Sequence, residues 1–361
     1  MVATTGPATP AAGTAGAPDL DLMRRMSEAF GPSGCEGEVR DIVKAQVAPY
    51  VDEIKVDALG NVITRKGDSS LPRVMIAAHM DEVALMIAGH ERNGLLRFKK
   101  VGGIDDRLLI SKTVLVGPKK IPGVIGAKAI HLQETGERDK VLKYDQIFID
   151  IGAKSKEDAE KLVKLGEYAI FDTKFGPIGK NKIKGKALDD RIGCLVLMEA
   201  LKGTYDGICV YGVFTVQEEV GLRGAAVSSY SVDPKYGIVL EGTICSDTPG
   251  SEPQGYATTQ GAGPAISLMD NASIASRPLV DALVRTAKAS DIPYQFRRAA
   301  SGGNDAGRIH LSREGVMACS LSVPCRYIHA PVAMASLDDY ANAAKLLGLF
   351  LKEIAKGGIS A

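Results

Sequence analysis

The strongest constraint on the fold of this chain is a set of three continuous apolar runs, at residues 73–78, 208–216 and 236–240. Runs that are apolar on both faces are typical of central parallel strands that helices cover on each side. Segments with the 3.6-residue apolar period of a helix alternate with these runs or follow them. These segments are residues 190–201, 278–290 and 337–355. We therefore predict an α/β fold, in which helices sandwich a mixed, largely parallel sheet.

The sequence pattern of residues 89–182 differs from that of the α/β segments. It contains short β-like pieces and many turn residues, with a single helical segment at residues 156–165. This pattern predicts a small β-barrel-like domain inserted into the α/β domain. The α/β domain then consists of residues 19–88 and 183–361. Residues 1–18 are rich in Ala, Thr, Gly and Pro, and a composition of this kind predicts a disordered tail.

The composition argues against several classes of partner. The 44 Lys and Arg residues balance 43 Asp and Glu residues, so no global field favours nucleic acid or an anionic membrane. The chain has no Trp and 5% aromatic residues, which argues against stacking on single-stranded nucleic acid or on sugars. It also lacks the run of about 18 apolar residues that a membrane span requires. We expect no nucleic-acid partner and no membrane partner.

The cysteines and the first residues bear on the compartment. The six cysteines are scattered, without a CxxC pair. This spacing predicts free thiols in a reducing compartment, with no thiolate metal site. The first eighteen residues lack the basic start and the hydrophobic centre of a secretory signal. We therefore expect a cytoplasmic protein.

A histidine and an acid, His79 and Asp81, come just after the first apolar run. In open α/β sheets, ligands bind beyond the carboxyl ends of the strands. Side chains at positions i and i+2 of an extended chain point to the same side. Imidazole ligates zinc-like metals, and a neighbouring carboxylate often holds its second nitrogen. By itself, the pair is equally compatible with a structural histidine.

Two pairs of adjacent acids occur where other predicted elements begin or end. Asp189 and Asp190 precede a helix, where one Asp would accept hydrogen bonds from backbone N–H groups as a cap. Capping alone and capping combined with metal ligation are equally open at this position. Glu218 and Glu219 directly follow the second apolar run. Adjacent acids near a core are costly unless they are paired or coordinated, so a functional role is favoured over a solvated surface.

Two further residues complete a constellation. Glu241 ends the third apolar run, and His329 lies near the end of the chain. Alone, they would be a capping acid and an ordinary histidine. Together with the motifs above they give two histidines and three carboxylates, one of them shared, which suffices to hold two metal ions with open positions for water. The other histidines belong to no such cluster and are predicted to be structural; they are His90, His131 and His310.

The order of these motifs resembles that of the metallo-aminopeptidases of peptidase family forty-two, which include glutamyl and tetrahedral (TET) aminopeptidases. The motifs are HMDE at 79–82, LDDR at 188–191, QEEVGLRGA at 217–225, an acid shortly before DTPG at 247–250, and RYIH at 326–329. The match runs from about residue 20 to residue 355. The segments GVIGAKAIHL and IDIGAKS also look like the dimerisation insert of that family.

The resemblance implies a role for each candidate residue. In the family's arrangement one carboxylate bridges two divalent metal ions, and each ion takes one further carboxylate and one histidine. The matching positions are Asp189 for the bridge, His79 and Glu241 for one ion, and Glu219 and His329 for the other. Glu218 would be the general base and acid, and Asp81 would orient His79. Zinc is the favoured metal, with cobalt or manganese as alternatives.

The resemblance also carries expectations about architecture and assembly. It implies a fold of the di-zinc exopeptidase type and a homo-oligomer built from dimers, up to a dodecamer, with residues 89–182 as the dimerisation domain. The sequence departs from the family pattern at three places. Position 241 is Glu where many members have Asp, residues 330–333 read Ala-Pro-Val-Ala where members often have Ser-Pro-Val-Glu, and Asn304 replaces a common Thr.

The expected function is that of an aminopeptidase, which hydrolyses the N-terminal residue from peptide substrates by a hydroxide bridging the two metals, with Glu218 as base. Alternatives are a related di-metal deacylase or carboxypeptidase, a glycosidase of the kind that some relatives labelled endoglucanase would imply, and a non-catalytic scaffold. Glycosidases use two spaced carboxylates and no metal, which fits this pattern poorly. Two basic residues of these motifs, Arg223 and Arg326, are interpreted as structural ion-pair partners rather than substrate ligands.

Overall fold

The computed structural model describes residues 18–134, 136, 139–298 and 301–359. The predicted tail thus lies outside the described residues, apart from Pro18. The α-helices are α1 (Leu20–Glu28), α2 (Gly37–Val47), α3 (Lys156–Leu162), α4 (Leu188–Leu201), α5 (Arg223–Val232), α6 (Arg277–Ala289), α7 (Ala306–Ile309) and α8 (Leu337–Gly357). The strands are β1 (Glu53–Val56), β2 (Val62–Lys66), β3 (Arg73–His79), β4 (Ala84–His90), β5 (Leu96–Val101), β6 (Thr113–Val116), β7 (Ile121–Gly126), β8 (Phe148–Asp150), β9 (Tyr168–Phe171), β10 (Gly176–Pro177), β11 (Lys182–Gly185), β12 (Cys209–Thr215), β13 (Tyr236–Ile244), β14 (Ala265–Ser267), β15 (Gln295–Arg297), β16 (Met317–Arg326) and β17 (Ala333–Ser336).

A large mixed sheet forms the centre of the molecule. Its strands follow the order β1-β2-β12-β3-β13-β16-β17-β11-β10, with β14 and β15 attached beside β16. The pairings β12–β3, β3–β13 and β13–β16 are parallel, and the outer strands pair antiparallel. The three apolar runs are the neighbouring strands β12, β3 and β13. The predicted α/β fold with a mixed, largely parallel core is therefore confirmed.

The two faces of the sheet explain why these runs are apolar throughout. Along β3, Val74, Ile76 and Ala78 point into the larger core, where α1, α2, α4, α6 and α8 pack. The alternate residues Met75 and Ala77 point into a smaller core beneath α5 and α7. Helices thus cover both faces, as a strand without alternation requires. Within the described part of the chain, no helix combines the length and the apolarity needed to span a bilayer.

A second, smaller body is a closed barrel with the strand order β4-β5-β8-β7-β6-β9. It has its own apolar core, to which α3 contributes Ala159. The predicted barrel-like unit is confirmed as an architectural feature. Its strands occupy residues 84–171, and β10 and β11 then rejoin the large sheet.

The connections to the barrel place polar residues at one edge of the large sheet. The chain leaves β3 at His79 and enters the barrel at Ala84, so residues 80–83 form the outgoing connection. It returns through β11, which ends at Gly185, and two residues separate this strand from α4, which begins at Leu188. The His79 backbone N–H donates to Asp190 at the start of α4 (3.1 Å), which joins the two connections.

Candidate metal centre and cleft

Neighbouring parallel strands bring three of the candidate motifs to one edge of the sheet. His79 is the last residue of β3, and Glu218 follows the end of β12 by three residues. Glu241 lies within β13, which continues to Ile244. Because β12, β3 and β13 run side by side in the same direction, their carboxyl ends meet at this edge. Residues far apart in the sequence therefore share one site.

The two adjacent acids at the start of α4, Asp189 and Asp190, make different contacts. Asp190 is fully buried; one of its carboxylate oxygens accepts the N–H of Gly193 (3.0 Å) and the other accepts the N–H of His79 (3.1 Å). Asp190 therefore caps the helix. Among the described residues, no backbone N–H donates to the carboxylate of Asp189, whose oxygens lie 3.3 and 3.4 Å from two histidine side chains. The peptide between the two acids is cis.

Asp189 lies between the two candidate histidines. Its Oδ1 is 3.3 Å from Nε2 of His79, and its Oδ2 is 3.4 Å from Nε2 of His329. Each histidine has a second carboxylate nearby: Oε1 of Glu241 is 3.1 Å from His79 Nε2, and Oε2 of Glu219 is 3.4 Å from His329 Nε2. The structure thus brings all five predicted ligand residues together, as two histidine–carboxylate pairs around one shared carboxylate.

The cluster contains two groups of three potential metal donors, and within each group the donor atoms lie within 4.8 Å of one another. One comprises Asp189, Glu219 and His329, and the other comprises His79, Glu241 and Asp190. Asp190 enters the second group by proximity, but both of its oxygens already accept backbone N–H groups. Asp189 Oδ1 lies 3.3 Å from Nε2 of His79, and among the described residues no backbone N–H donates to the Asp189 carboxylate. Of the two acids, Asp189 is therefore the one whose oxygens are free to face a cation.

The donor set fits a cation. Oε2 of Glu241 is buried and has no hydrogen-bond partner among the described residues. A buried carboxylate oxygen without a partner is costly, and a divalent cation would satisfy it. Imidazole and carboxylate together suit zinc and related metals. The residues present could therefore hold metal ions, because the buried carboxylates of the cluster need positive charge to offset their own.

The protonation equilibria of the cluster point the same way. Burial raises the pKa of Glu219 to about 7 and raises those of Glu218 and Glu241 well above the ordinary value. Burial alone would lower the pKa of His329, but its hydrogen bond to Asp189 and the charge of Glu219 raise it to about 9. Without a bound cation, protons offset the negative charge of these closely spaced carboxylates. Cations at the same place would take over that role.

Asp81 connects more of the site than the sequence indicates. It is fully buried, and its Oδ1 lies 3.4 Å from His79 Nδ1. The same carboxylate accepts the backbone N–H groups of Glu218 (3.0 Å) and Glu219 (3.2 Å) and the hydroxyl of Ser33 (2.6 Å). Asp81 thus holds the turn that carries the two glutamates, besides contacting the imidazole. The Ser33 contact joins residues 48 positions apart, and no local sequence pattern indicates it.

A buried ionic network lies beneath the site and was missed by sequence reasoning. Glu82, Lys186 and Arg191 are each at most 3% exposed. Lys186 Nζ donates to both Glu82 oxygens (2.7 and 2.8 Å), and Arg191 Nη2 donates to one of them (3.2 Å). Arg191 also donates from Nε to the carbonyl of Met80. The network ties the HMDE segment to the segment that carries Asp189.

The remaining sequence predictions have distinct outcomes. Arg326 forms a bidentate ion pair with Asp247 (2.9 and 2.8 Å), as predicted, whereas Arg223 donates to the amide oxygen of Gln217 (3.3 Å). Asn304 exchanges hydrogen bonds with Ser320, and its Oδ1 accepts the N–H of Ala306 at the start of α7. Of the other histidines, His90 and His310 contact backbone carbonyls, and His131 is exposed.

A cleft opens from this cluster to the surface. Its cavity has a volume of about 300 Å³. Its lining includes Asp189, Glu218, Glu241 and His329, and also Arg297 and residues 301–304. Glu218 is 9% exposed, and its Oε2 lies 4.0 Å from His79 Nε2. A molecule in the cleft would therefore meet the carboxylate–histidine cluster and Glu218 together.

Comparison with known proteins agrees with this geometry. Residues 60–346 match the M42 glutamyl aminopeptidase family. The lysyl aminopeptidase of Pyrococcus furiosus is 34% identical over 93% of this chain and 97% of its own length. A TET aminopeptidase from a marine-sediment Thaumarchaeota archaeon superimposes with a TM-score of 0.90 at 39% identity, covering 94% of this chain and 98% of that one. The TET1 peptidase of Pyrococcus horikoshii, which can assemble into a tetrahedron or a large octahedral shell, superimposes with a TM-score of 0.82 at 34% identity, covering 91% of this chain and 98% of that one.

The matched sequence extends over most of the chain, and the fold is the same. This chain therefore belongs to the M42 glutamyl aminopeptidase family, and it is a hydrolase that removes N-terminal residues from peptides.

Proposed function

We propose that the enzyme works with two divalent metal ions held by the five clustered residues. Asp189 would be a ligand of both ions, His79 and Glu241 would hold one of them, and Glu219 and His329 would hold the other. The observation that carries this proposal is the orientation of Asp189, which presents one oxygen to each histidine at 3.3 and 3.4 Å. Zinc is favoured by the imidazole and carboxylate donors, with cobalt or manganese as alternatives.

When bound, the metal ions supply Lewis acidity, which polarises the scissile carbonyl and acidifies a water molecule. Glu218 then serves as general base, because its carboxylate lies beside the cluster and its burial raises its affinity for a proton. It returns that proton to the leaving amine. Asp81 positions both His79 and the backbone of Glu218, so the base and the ligand keep a fixed relation. The carboxylates that line the cleft also attract the α-ammonium group of the peptide.

The first experiment measures release of a chromophore from unblocked aminoacyl substrates before and after chelation, and again after addition of zinc, cobalt or manganese. We expect chelation to abolish release and at least one metal to restore it. N-acetylated and C-terminal reporter substrates, run alongside, distinguish an aminopeptidase from a deacylase or a carboxypeptidase. Full activity in protein shown to be free of metal would refute the di-metal proposal.

A variant tests the role of Glu218 separately. Glu218→Gln keeps the side-chain shape but cannot accept the proton, so we expect turnover to fall about 10²–10⁴-fold while both metals stay bound. Glu314→Gln, at an exposed position, is the matched control and should have no effect. Metal content and turnover are measured on the same samples. A Glu218→Gln enzyme with normal turnover would show that another group moves the proton.

We further propose a cytoplasmic homo-oligomer built from dimers, up to a dodecamer, in which the insert at residues 89–182 forms the dimer contact. The barrel region exposes large apolar side chains, among them Ile130 at 59%, Leu132 at 72% and Val141 at 52%. Exposed apolar surface of this kind favours contact with another protein surface. All six cysteines are free thiols, in keeping with a reducing compartment. Light scattering of the wild type and of Leu132→Asp tests the assembly, since the variant should dissociate to smaller species.

A further inference from the structure

We propose that Asn61 is a positioning residue for Glu218, an inference that rests on the proposed role of Glu218 as general base. Asn61 lies in the hairpin turn between β1 and β2, and its side chain is fully buried. It contacts a segment 155 positions later in the chain, residues 216–224, which we call the glutamate loop. This loop follows β12, includes the first residues of α5 and carries Glu218.

The amide of Asn61 holds both ends of the glutamate loop. Its Oδ1 accepts the backbone N–H of Val216 (3.0 Å), and its Nδ2 donates to the carbonyl oxygen of Gly224 (3.1 Å). The two ends also contact each other, since the N–H of Gly224 donates to the carbonyl oxygen of Val216 (3.0 Å). A single side chain therefore closes the loop at a point two residues before Glu218.

The glutamate loop depends on side chains from outside it. The N–H groups of residues 216–219 lie beyond the last pairings of β12, so the sheet no longer satisfies them. Side chains from three other segments accept all four of these groups. The carboxylate of Glu36, for example, accepts the N–H of Gln217 (3.3 Å). Gln217 has a φ of 56°, in the left-handed region, and a non-glycine residue keeps such a conformation only where its surroundings hold it.

Asn61 is itself held in one orientation. Its Nδ2 also donates to Oδ2 of Asp57 (2.6 Å), whose Oδ1 accepts the backbone N–H of Asn61 (3.0 Å). The carboxylate of Asp57 and the carbonyl of Gly224 can only accept, and the N–H of Val216 can only donate, so one placement of the amide satisfies all three. The loop also packs tightly here, because a Cβ on Gly224 would lie 2.5 Å from the carbonyl oxygen of Val216. A buried side chain with every hydrogen bond made is suited to keep a catalytic group in place.

Kinetics of Asn61→Ala in the metal-saturated enzyme test this inference. The variant loses all three side-chain hydrogen bonds, and we expect kcat to fall about 10-fold to 100-fold, the effect of misplacing a catalytic group by about 1 Å. KM should stay near the wild-type value, because the base acts in the transition state rather than in substrate binding.

The matched control is Thr64→Val. Thr64 is also fully buried, and its hydroxyl on β2 donates to the carbonyl of Gly212 in β12 (2.9 Å), away from the glutamate loop. This variant removes a buried hydrogen bond between the same two strands and should leave kcat unchanged, whatever it costs in thermal stability. A purely structural role of Asn61 predicts the same behaviour for Asn61→Ala.

A double-mutant cycle tests whether Asn61 acts through Glu218. In a Glu218→Gln background, Asn61→Ala should lower kcat by less than about 3-fold further, because the group that it positions is already disabled. An equal loss in both backgrounds, or wild-type kcat in Asn61→Ala, overturns the role of Asn61 and leaves Glu218 standing as the base. Normal turnover of Glu218→Gln would instead refute the proposed function. If Asn61→Ala does not fold, Asn61→Asp takes its place in the cycle, since it keeps the acceptor for Val216 and loses both donated hydrogen bonds.

Discussion

The ionic network beneath the site gives the sharpest test of how this fold is held together. Glu82 is 3% exposed, and its carboxylate is shared by two buried cations, Lys186 and Arg191. It also accepts the N–H of Gly31 (3.2 Å). Replacing Glu82 by Gln keeps the shape but removes the anion, so two buried positive charges lose their counter-charge.

Breaking a buried pair in this way costs about 3–5 kcal/mol of unfolding free energy. With an unfolding entropy of about 2.1 cal/mol/K per residue, such a loss lowers the melting temperature of a chain of this length by roughly 4–7 °C. The matched control is Glu38→Gln. Glu38 and Lys120 form a pair of similar length (2.8 Å), but the two side chains are 43% and 39% exposed. Exposed pairs contribute less than about 1 kcal/mol, so this variant should shift the melting temperature by at most about 1–2 °C.

The pH dependence supplies a second, independent readout. Burial lowers the pKa of Lys186 to about 8, although the charge of Glu82 counteracts that effect. Without Glu82 the folded-state pKa falls further, while the unfolded chain keeps the ordinary value of about 10.4. Between those values the unfolded state binds more protons, so the stability of Glu82→Gln rises with pH. The deficit relative to wild type should therefore be larger at pH 6 than at pH 9.

Differential scanning calorimetry of the wild type and both variants, at pH 6 and pH 9 and one protein concentration, measures these shifts. Equal melting temperatures for Glu82→Gln and Glu38→Gln would refute the argument that burial makes the network costly to break. A deficit that does not change with pH would show that Lys186 does not release its proton.

Three further predictions concern single side chains around the site. A Cβ on Gly242 would lie 2.9 Å from Asp189 Cα, so Gly242→Ala should displace Asp189 and weaken metal retention about 10-fold or more in a competition with a chelator. The control Gly126→Ala, whose Cβ would meet no atom within 4 Å, should leave metal retention unchanged. Burial raises the pKa of Asp305 to about 6, so the folded state holds its proton more tightly than the unfolded state and the wild type loses stability as pH rises from about 4 to 6. Asp305→Asn cannot titrate, so its unfolding free energy relative to wild type should rise by up to about 3 kcal/mol between pH 4 and pH 7. A difference that stays constant with pH would contradict this. Ser33→Ala removes a 2.6 Å hydrogen bond to the buried Asp81 and should cost about 1.5–3 kcal/mol in thermal unfolding, against no change for the exposed Ser69→Ala.

Much of the fold follows from local patterns in the sequence. The strands β3 and β12 could be recognised because both of their faces are buried, which removes alternation from the sequence. The helix α8 could be recognised from its apolar period and from Ser336, whose hydroxyl accepts the N–H of Asp339. The five ligand candidates could be named because strand ends and helix starts are where such side chains converge. These features depend on neighbouring residues, so the sequence by itself determines them.

Other properties depend on distances between residues remote in the chain. The local sequence does not distinguish Asp189 from Asp190, and the resemblance alone named Asp189; the three-dimensional contacts show that Asp190 caps α4 while Asp189 faces both histidines. The neighbour order β12-β3-β13 differs from the chain order, so strand adjacency was equally hidden. The position of Arg297 on the cavity wall follows from the same packing. Local pattern therefore decides which elements form and where polar side chains emerge, whereas tertiary packing decides which of those side chains meet, because burial and electrostatic coupling act across space.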